Sequence, residues 1–587
     1  MYRHGLGRRR AGYSNQDIAP DEIFLDSHNL PNFDTHQFQG RIERPLNQRS
    51  FIFLGIAFFI AGVIFLWQLW NLQVVNGEAY ASRSEANRLR NALIFAERGV
   101  IYDRHGEELA WNVPYEEENF ARRMYAKLPG LSHVLGYVGY PANDTSGVYY
   151  QEEYIGYDGA ERAFNDLIGG SNGLQIIETD AFGNVESGNT LRPPEDGDSV
   201  TLSIDSKLQS AFFERIQQTA RDRGFEGGAA IMLDVTNGEV LALTSFPEYE
   251  SQVLTDGVDV DAINTYRLEK DTPFLNRAIS GRYIPGSIIK PFVALSALEE
   301  GIIAPEKEIL STGALTIPNP YFPDQPSVFR DWKVHGWVDM REAIAVSSDV
   351  YFYQIGGGYE GQEGLGIEKI ENYMRLYGFS EKTNIELDGE IEGIIPTPAW
   401  KAQHFEGEPW RLGNTYHTAI GQYGFQTTPI QVARSVALLA NGGELIYPTL
   451  LKGEGKSVER SVTVNPEHLK VVIEGMRDAV LTGTASALSL PEVAIAAKTG
   501  TAEVGLSKQS VHSWVVGFFP YEKPRYAFVV LMEKGPSTNL VGASSVMRSV
   551  LEWMYAHTPY YLEGRDAPQN ASLQKDHESP QGVLVDF

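Results

Sequence analysis

Uncharged, mostly apolar residues fill FIFLGIAFFIAGVIFLWQLW, positions 51–70, and no charge falls between Arg49 and Glu78. About 20 such residues cross a bilayer as one helix. A helix apolar on every face at this length is not expected in a soluble core. Trp67 and Trp70 stand where an interfacial aromatic belt would. The run is too long for the apolar part of a cleaved signal peptide, and LWNLQVV offers no small-residue cleavage site. The pattern therefore predicts a transmembrane signal-anchor helix over 51–72, after a polar cytoplasmic tail over 1–50. Seven Arg and no Lys precede the helix, with Arg41, Arg44 and Arg49 nearest, whereas the first basic residue beyond it is Arg83. The positive-inside rule then puts the N-terminus in the cytoplasm and the rest outside, anchored in the cell membrane by a single pass.

Downstream the pattern changes. GEAYASRSEANRLRNA, 77–92, reads as helix, and AERGVIYDRHGEELAWN alternates and turns like a hairpin about Arg104-His105-Gly106. The region up to about residue 200 reads as a small, irregular, β-rich domain, closed by the turn formers Pro193-Pro194-Glu195-Asp196-Gly197-Asp198. DSKLQSAFFERIQQTARDRG is a predicted helix with Asp205 as its N-cap. AAIMLDV and EVLALTSF flank Thr236-Asn237-Gly238, a hairpin signal. SWVVGFFP and RYAFVVLM flank Tyr521-Glu522-Lys523-Pro524, a second one. The sequence between is mostly helical and includes TPIQVARSVALLANGG, with Pro429 at its start and Gly442 past its end. Strands at both ends and helices between predict one large α/β domain, an antiparallel sheet closed by distant strands and covered by helices. Its tryptophans and tyrosines are expected in the core. Residues after Leu562 read as a polar, acidic tail, and no internal repeat is present.

Composition narrows the function classes. The 587 residues carry a formal net charge of −27, which argues against a nucleic-acid partner, since that needs a basic face. There is no cysteine, so disulfides, thiolate chemistry and cysteine-ligated zinc are excluded. Asp331, His335 and Asp339 could ligate a metal, but their spacing matches no specific site. No cofactor or metal is expected.

Within PGSIIKPF, 285–292, Lys290 stands among Ile288, Ile289, Phe292, Val293, Ala294 and Leu295. Lysine is costly to bury without a partner. Pro291 is tolerated only in a helix's first turn, so the helix must start near Ser287. Ser287 and Lys290 then share a face at the helix's positive end. A serine hydroxyl needs a base to become a nucleophile, and burial lowers a lysine's pKa towards that task. A bland reading stands beside this one, an N-capping serine and a lysine reaching for solvent. Two further segments weigh against it. AVSSDVYFY places Ser347-Ser348-Asp349 60 residues beyond Ser287, and AAKTGTAEV places Lys498-Thr499-Gly500-Thr501 151 residues beyond Ser347. As a strand, the latter puts Thr499 and Thr501 on one face. Gly500 would let a ligand approach the backbone, and an open strand edge suits an added peptide. In isolation KTG could also be an edge strand blunted by a lysine, the lesser reading. All three together describe an activated serine beside a peptide-binding strand.

Ser-x-x-Lys, Ser-x-Asp and Lys-Thr-Gly in this order resemble the penicillin-recognising serine enzymes. ERGVIYDRHGEELAWN (97–112), GYDGAERAFN (156–165) and PEDGDSVTLSIDSKLQ (194–209) resemble pedestal boxes of class B penicillin-binding proteins. LNRAISGRYIPGSIIKPF (275–292) is similar to that family's sequence around the nucleophile. FRDWKVHGWVDMREAIAVSSDVYFY (329–353) and AIGQYGFQTTPIQ (419–431) resemble most the elongation-type branch, monofunctional peptidoglycan D,D-transpeptidases. The resemblance spans roughly residues 50–557, and Asp349, where many relatives have asparagine, fits that branch. It implies an α/β (α+β) transpeptidase fold with a five-stranded antiparallel sheet, a β-rich pedestal (73–200), a transpeptidase domain (201–560) and a disordered tail (561–587). The pedestal departs from the family pattern, because only about twenty residues separate Asn112 from SHVLGYVGY. Its outer subdomain is expected to be much reduced.

The resemblance further implies the roles. Ser287 attacks the D-Ala-D-Ala carbonyl of a stem peptide, with Lys290 as its base. Ser347 relays a proton to the leaving D-alanine, and Asp349 orients the groups nearby. Lys498 adds positive field, and Thr499 and Thr501, flanking Gly500, hold the substrate carboxylate. The backbone N–H groups of Ser287 and Thr501 form the oxyanion hole. Implied partners are peptidoglycan stem peptides, β-lactams as inhibitors, a SEDS-type membrane glycosyltransferase and other elongation-complex proteins. The alternatives are a D,D-carboxypeptidase or serine β-lactamase, with water as acyl acceptor, or a non-enzymatic β-lactam sensor. The anchor, the pedestal and the size favour transpeptidation.

Overall fold

The structure is a computed structural model that describes residues 48–566, apart from 82–88, 116–117, 146–147, 180–184, 319–321, 323, 454–456, 506–508 and 540. The expected N-terminal tail and most of the C-terminal one lie outside the described residues. The chain divides into two compact units, residues 1–90 with 180–182, and 91–179 with 183–587. In the first, helix α1 (Gln48–Trp70) continues as a wider helical turn over Asn71–Val75. Phe51–Val75 has mean hydropathy 2.4 and none of its most apolar stretch is buried, so it is long and apolar enough to cross a membrane. The helix predicted over 77–92 is present over 77–81, residues 82–88 lie outside the described residues, and Leu89–Ile94 is a strand. Hydrogen bonding to a partner strand overrides the helical propensity of Leu, Arg and Ala there.

The second unit opens with the β-rich region. Strands β1 (Ile101–Tyr102), β2 (Glu108–Val113), β3 (Arg122–Tyr125) and β4 (Val200–Thr201) form a sheet in the order β4–β1–β2–β3. The β1–β2 turn is the one read from Arg104-His105-Gly106, and Gly106 supplies its positive φ of 84°. Under the sheet Glu161 is buried between two arginines. Arg98 Nε donates to its Oε2 at 2.6 Å and Arg123 Nε to its Oε1 at 2.7 Å. This region is tied to the next through the carboxylates of Asp103 and Glu248. Asp103 Oδ2 accepts from Ser206 Oγ at 2.7 Å, and Glu248 accepts from Gly130 N at 2.6 Å and Ser132 N at 3.0 Å.

The large domain starts with α2 (Ser206–Arg223), which Asp205 caps by accepting from Lys207 N and Leu208 N. Strands β5 (Gly227–Asp234), β6 (Val240–Phe246), β7 (Ala496–Val504), β8 (Ser510–Phe519) and β9 (Tyr526–Pro536) form one antiparallel sheet. Its order is β6–β5–β9–β8–β7, so the first hairpin and the last two strands close on each other across some 250 residues. Both faces are buried. Ile231 and Leu233 enter one core and Ala230 and Met232 the other, as a period of two requires. The wholly apolar face of α3 (Pro429–Ala440) fills the first core, with Pro429 in its first turn and Thr428 in a capping box. Helices α2 and α4 (Ala543–His557) fill the second. The fold runs on past the expected domain end at residue 560. Tyr561 and Leu562 are buried, and the Tyr561 hydroxyl donates to Asp205 Oδ2 at 2.9 Å.

Candidate active site

The turn before Ser287 is held by hydrogen bonds to its backbone and by one close approach of two glycines. Tyr283 and Thr427 exchange backbone hydrogen bonds at 2.9 and 3.0 Å, and the Trp514 indole donates to the Ile284 carbonyl at 3.0 Å. Gly286, with φ +58°, donates to the Gly421 carbonyl at 3.0 Å. A Cβ on Gly421 would lie 2.2 Å from the Gly286 carbonyl oxygen. The half-buried Ser287 follows in a single 3₁₀ turn, Gly286–Ile289, and α-helical bonding begins only with α5 (Lys290–Glu299). The helix proper thus starts three residues later than the proline suggested, because the chain first winds more tightly. Its N-terminal half packs in the sheet's first core, which leaves Lys290 wholly buried.

Ser347 sits where two helices meet. Helix α6 (Met340–Val346) is capped by Asp339 with Glu342 in a reciprocal box. Helix α7 (Asp349–Gly357) is capped by Ser348. Between them Ser347 adopts left-handed backbone angles, φ 61° and ψ 42°. Such a conformation costs of order 1–3 kcal/mol in a non-glycine residue and persists only where its surroundings fix it. The consequence is that both its carbonyl and its hydroxyl face inward. Lys290 Nζ donates to the Ser347 carbonyl at 2.8 Å and to Asp349 Oδ1 at 2.6 Å, and lies 3.2 Å from Ser347 Oγ. Lys498 Nζ lies 2.9 Å from the same hydroxyl oxygen and 2.9 Å from the Thr499 carbonyl. The two amines thus meet at one serine oxygen. Burial drives the Lys498 amine well below the ordinary lysine range; the Lys290 charge adds to this and Asp349 opposes it.

Lys498-Thr499-Gly500-Thr501 lies on β7, the edge strand of the sheet. Lys498 and Gly500 are buried, Thr499 is half-buried and Thr501 is exposed, as strand alternation predicts. Thr499 Oγ1 donates to Thr484 Oγ1 at 2.7 Å. A Cβ on Gly500 would meet Ile288 Cγ2 and the Pro285 carbonyl oxygen, both at 2.9 Å, so the turn bearing Ser287 fills the space beside it. A Cβ on Gly286 would likewise lie 3.1 Å from the Thr501 carbonyl oxygen. Two missing side chains therefore set Ser287 against the strand.

Two residues of the site were not foreseen. Asp331, its carboxylate fully buried, accepts from Ser348 Oγ at 2.9 Å, Val350 N at 3.0 Å, Ser311 Oγ at 3.1 Å and Trp332 N at 2.8 Å. It thereby pins the start of α7 and, through it, the left-handed Ser347. Trp332, expected in the core, is 60% exposed, and its indole donates to the Ser347 carbonyl at 3.3 Å. Trp337 is also exposed, whereas Trp514 is core. Residues 309–338 include two short two-stranded ribbons that send Ile309, Leu315 and Val338 into the core and leave Trp332 and Trp337 exposed. No sequence signal marked Asp331 beyond its nearness to His335 and Asp339. Those three do not converge: His335 Nε2 lies 3.4 Å from Asp331 Oδ1, but Asp339 is spent as a helix cap. Among the described residues no group of three or more His, Cys, Asp or Glu is placed to hold a metal. A cavity of about 1050 Å³ lies elsewhere, lined by Tyr125, Leu135, Phe213, Glu248 and Tyr249; it contains none of the motif residues, so size does not locate the chemistry.

A serine at a helix start, two buried amines around a second serine, and an edge strand bearing threonines define a serine-type acyl-transfer site. The chain belongs to the penicillin-binding protein transpeptidase family: the model of that domain matches residues 228–552, and the penicillin-binding protein dimerisation domain matches 116–202. It is 28% identical to the peptidoglycan D,D-transpeptidase MrdA of Haemophilus influenzae, over 90% of this chain and 94% of that one. Among solved structures it resembles PBP2 of Pseudomonas aeruginosa in complex with WCK 5153, at 30% identity and TM-score 0.67, covering 82% of this chain and all of that one. It also resembles PBP2 of Helicobacter pylori in complex with MreC, at 26% identity and TM-score 0.66, covering 80% and 99%.

Proposed function

We propose that this chain is a peptidoglycan D,D-transpeptidase of cell-wall elongation, the activity named for its MrdA relatives, with Ser287 as nucleophile. The observation that carries the reading is the convergence of Lys290 Nζ and Lys498 Nζ on Ser347 Oγ, at 3.2 and 2.9 Å, with Lys290 three residues beyond Ser287. Ser287 attacks the carbonyl between the two D-alanines of a donor stem peptide. Lys290, one helical turn on, takes its proton. The peptide lies along the open edge of β7, its terminal carboxylate at the Thr499 and Thr501 hydroxyls. The N–H groups of Ser287 and Thr501, brought together by Gly286 and Gly500, stabilise the oxyanion. Ser347, with Asp349 beside it, delivers a proton to the departing D-alanine, and an amine of a neighbouring stem peptide then takes the acyl group. β-Lactams enter by the same attack and stay.

The apolar helix over 51–72 is read as a single-pass membrane anchor with the N-terminus cytoplasmic, residues 73–200 as the pedestal and 201–560 as the transpeptidase domain. A SEDS-type glycosyltransferase and a protein like MreC are the partners proposed, the latter because an H. pylori relative was solved with it.

The test is labelling of the full chain in detergent with a fluorescent β-lactam, wild type against Ser287→Ala. A lasting adduct in the wild type alone is expected. Equal labelling of Ser287→Ala would remove the site assignment, and rapid release of the drug from the wild type would favour hydrolysis over transfer.

A further inference from the structure

Segment 309–338 borders the site, yet most of its outward face has no part in the chemistry. Strand Ile309–Ser311 pairs with Gly336–Val338, and Ala314–Ile317 pairs with Ser327–Arg330, both antiparallel. A period of two sends Ile309 and Val338 inward and turns Leu310 and Trp337, opposite each other in register, to solvent. Asp331 N donates to the Gly313 carbonyl at 2.9 Å and His335 N to the Ser311 carbonyl at 3.2 Å, which folds the 331–335 turn onto the same ribbon. Leu310, Val328, Trp332, Val334 and Trp337 are all exposed on this one small structure. Single exposed apolar side chains are ordinary, but a group of them with two tryptophans marks a recognition surface.

Three features define its ligand. Trp332 joins the surface to the site: its indole donates to the Ser347 carbonyl at 3.3 Å, its backbone N–H to Asp331 at 2.8 Å, and its ring meets the His335 ring at 5.1 Å, while it stays exposed. A ring held this way loses little freedom on binding. Arg330 and Lys333, on either side of Trp332, are exposed and make no ion pair with another described residue, in a chain of net charge −27. The ligand therefore offers apolar faces and negative charges together. Lastly, the edge of β7 is taken by the donor peptide in the reading above, whereas the ribbon meets the site at Ser347.

We propose that this ribbon seats the glycan strand that carries the acceptor stem peptide. The inference rests on the transpeptidase reading. A pyranose ring presents C–H groups on its faces. These pack on the flat rings of Trp332 and Trp337, and the sugar's hydroxyl and N-acetyl groups stay in water. Arg330 and Lys333 take carboxylates of the stem peptides on the same strand. A strand held there brings its amine to the acyl-enzyme from the Ser347 side, so the ribbon supplies proximity and no new catalytic group. A β-lactam carries no glycan and makes no use of it.

The test is binding of uncross-linked glycan strands to the full chain in detergent, after a β-lactam has acylated the protein and filled the donor site. Binding is expected to persist in the acylated wild type and to weaken roughly tenfold in Trp337→Ala. It is expected to weaken with added salt, and less steeply when Arg330→Gln and Lys333→Gln are combined. Strands stripped of their stem peptides should compete. Loss of binding on acylation would assign the strand to the donor site, and failure of stripped strands to compete would assign recognition to the peptide. Wild-type affinity in Trp337→Ala would leave the ribbon to a protein partner. Each of these three results overturns the proposal. Should Trp337→Ala lose β-lactam labelling, as an unfolded chain would, the combined Arg330→Gln and Lys333→Gln variant decides, and an unchanged salt slope in it overturns the proposal. Persistent labelling of Ser287→Ala would instead sink the nucleophile, whatever the strand affinities.

Discussion

Two clusters in this chain share one formula, two cations around one carboxylate in a buried place, and behave in opposite ways. In the pedestal, Arg98 and Arg123 both bond Glu161, one to each oxygen. In the cleft only Lys290 bonds Asp349, and Lys498 is left to Ser347. Arginine does not lose its proton in a protein, whereas lysine does so readily when buried. Burial alone would raise the Glu161 pKa, but the Arg123 and Arg98 charges outweigh it and hold the carboxyl below its usual range. In the cleft the second cation has a hydroxyl and a backbone carbonyl in place of a carboxylate. The pedestal cluster is therefore closed on its own charges, and the cleft cluster is not.

That contrast yields a graded set of tests. Glu161→Ala leaves two buried guanidinium groups without a counter-charge and is expected to cost about 3–5 kcal/mol of folding stability. Thermal unfolding measures it, while acylation per folded molecule stays at the wild-type rate. Lys498→Met is expected to do the reverse: it melts at or above the wild-type temperature, yet β-lactam acylation falls roughly 10²–10⁴-fold. Unfolding of Lys498→Met like Glu161→Ala would erase the distinction. Gly500→Ala sharpens it within the cleft. Its Cβ must displace Ile288 or the Pro285 carbonyl and with them Ser287, so acylation should drop about 10²-fold with the lysines untouched. A wild-type rate would show that the turn yields freely. The smallest effect at ordinary pH is acid sensitivity. Because the folded pKa of Glu161 is lowered, its contribution is complete above the unfolded value of about 4.3 and is lost as pH falls through the folded one. Melting temperature against pH should fall below about pH 4, and less steeply in Glu161→Gln.

Much of the fold is written locally. A hairpin needs its turn chemistry beside its strands, so Thr236-Asn237-Gly238 and Tyr521–Pro524 mark β5–β6 and β8–β9 directly. Asp205 caps the helix it precedes, and Pro429 opens the helix it begins, because both effects act within one turn. The strand over Leu89–Ile94 was misread for the complementary reason: its hydrogen-bond partner is some eighty residues away.

By itself the sequence determined the long apolar helix, the order of strands and helices, and the three motifs, since each depends on neighbours in the chain. Only the tertiary structure decided which amine Asp349 holds, that Asp331 pins the Ser348 cap, that Trp332 stays open beside Ser347, and that Gly500 makes room for the turn of Ser287. Those are contacts between segments 15 to more than 200 residues apart. Motif spacing carries which groups are present, but distance, burial and the share-out of a single carboxylate exist only once the segments have met.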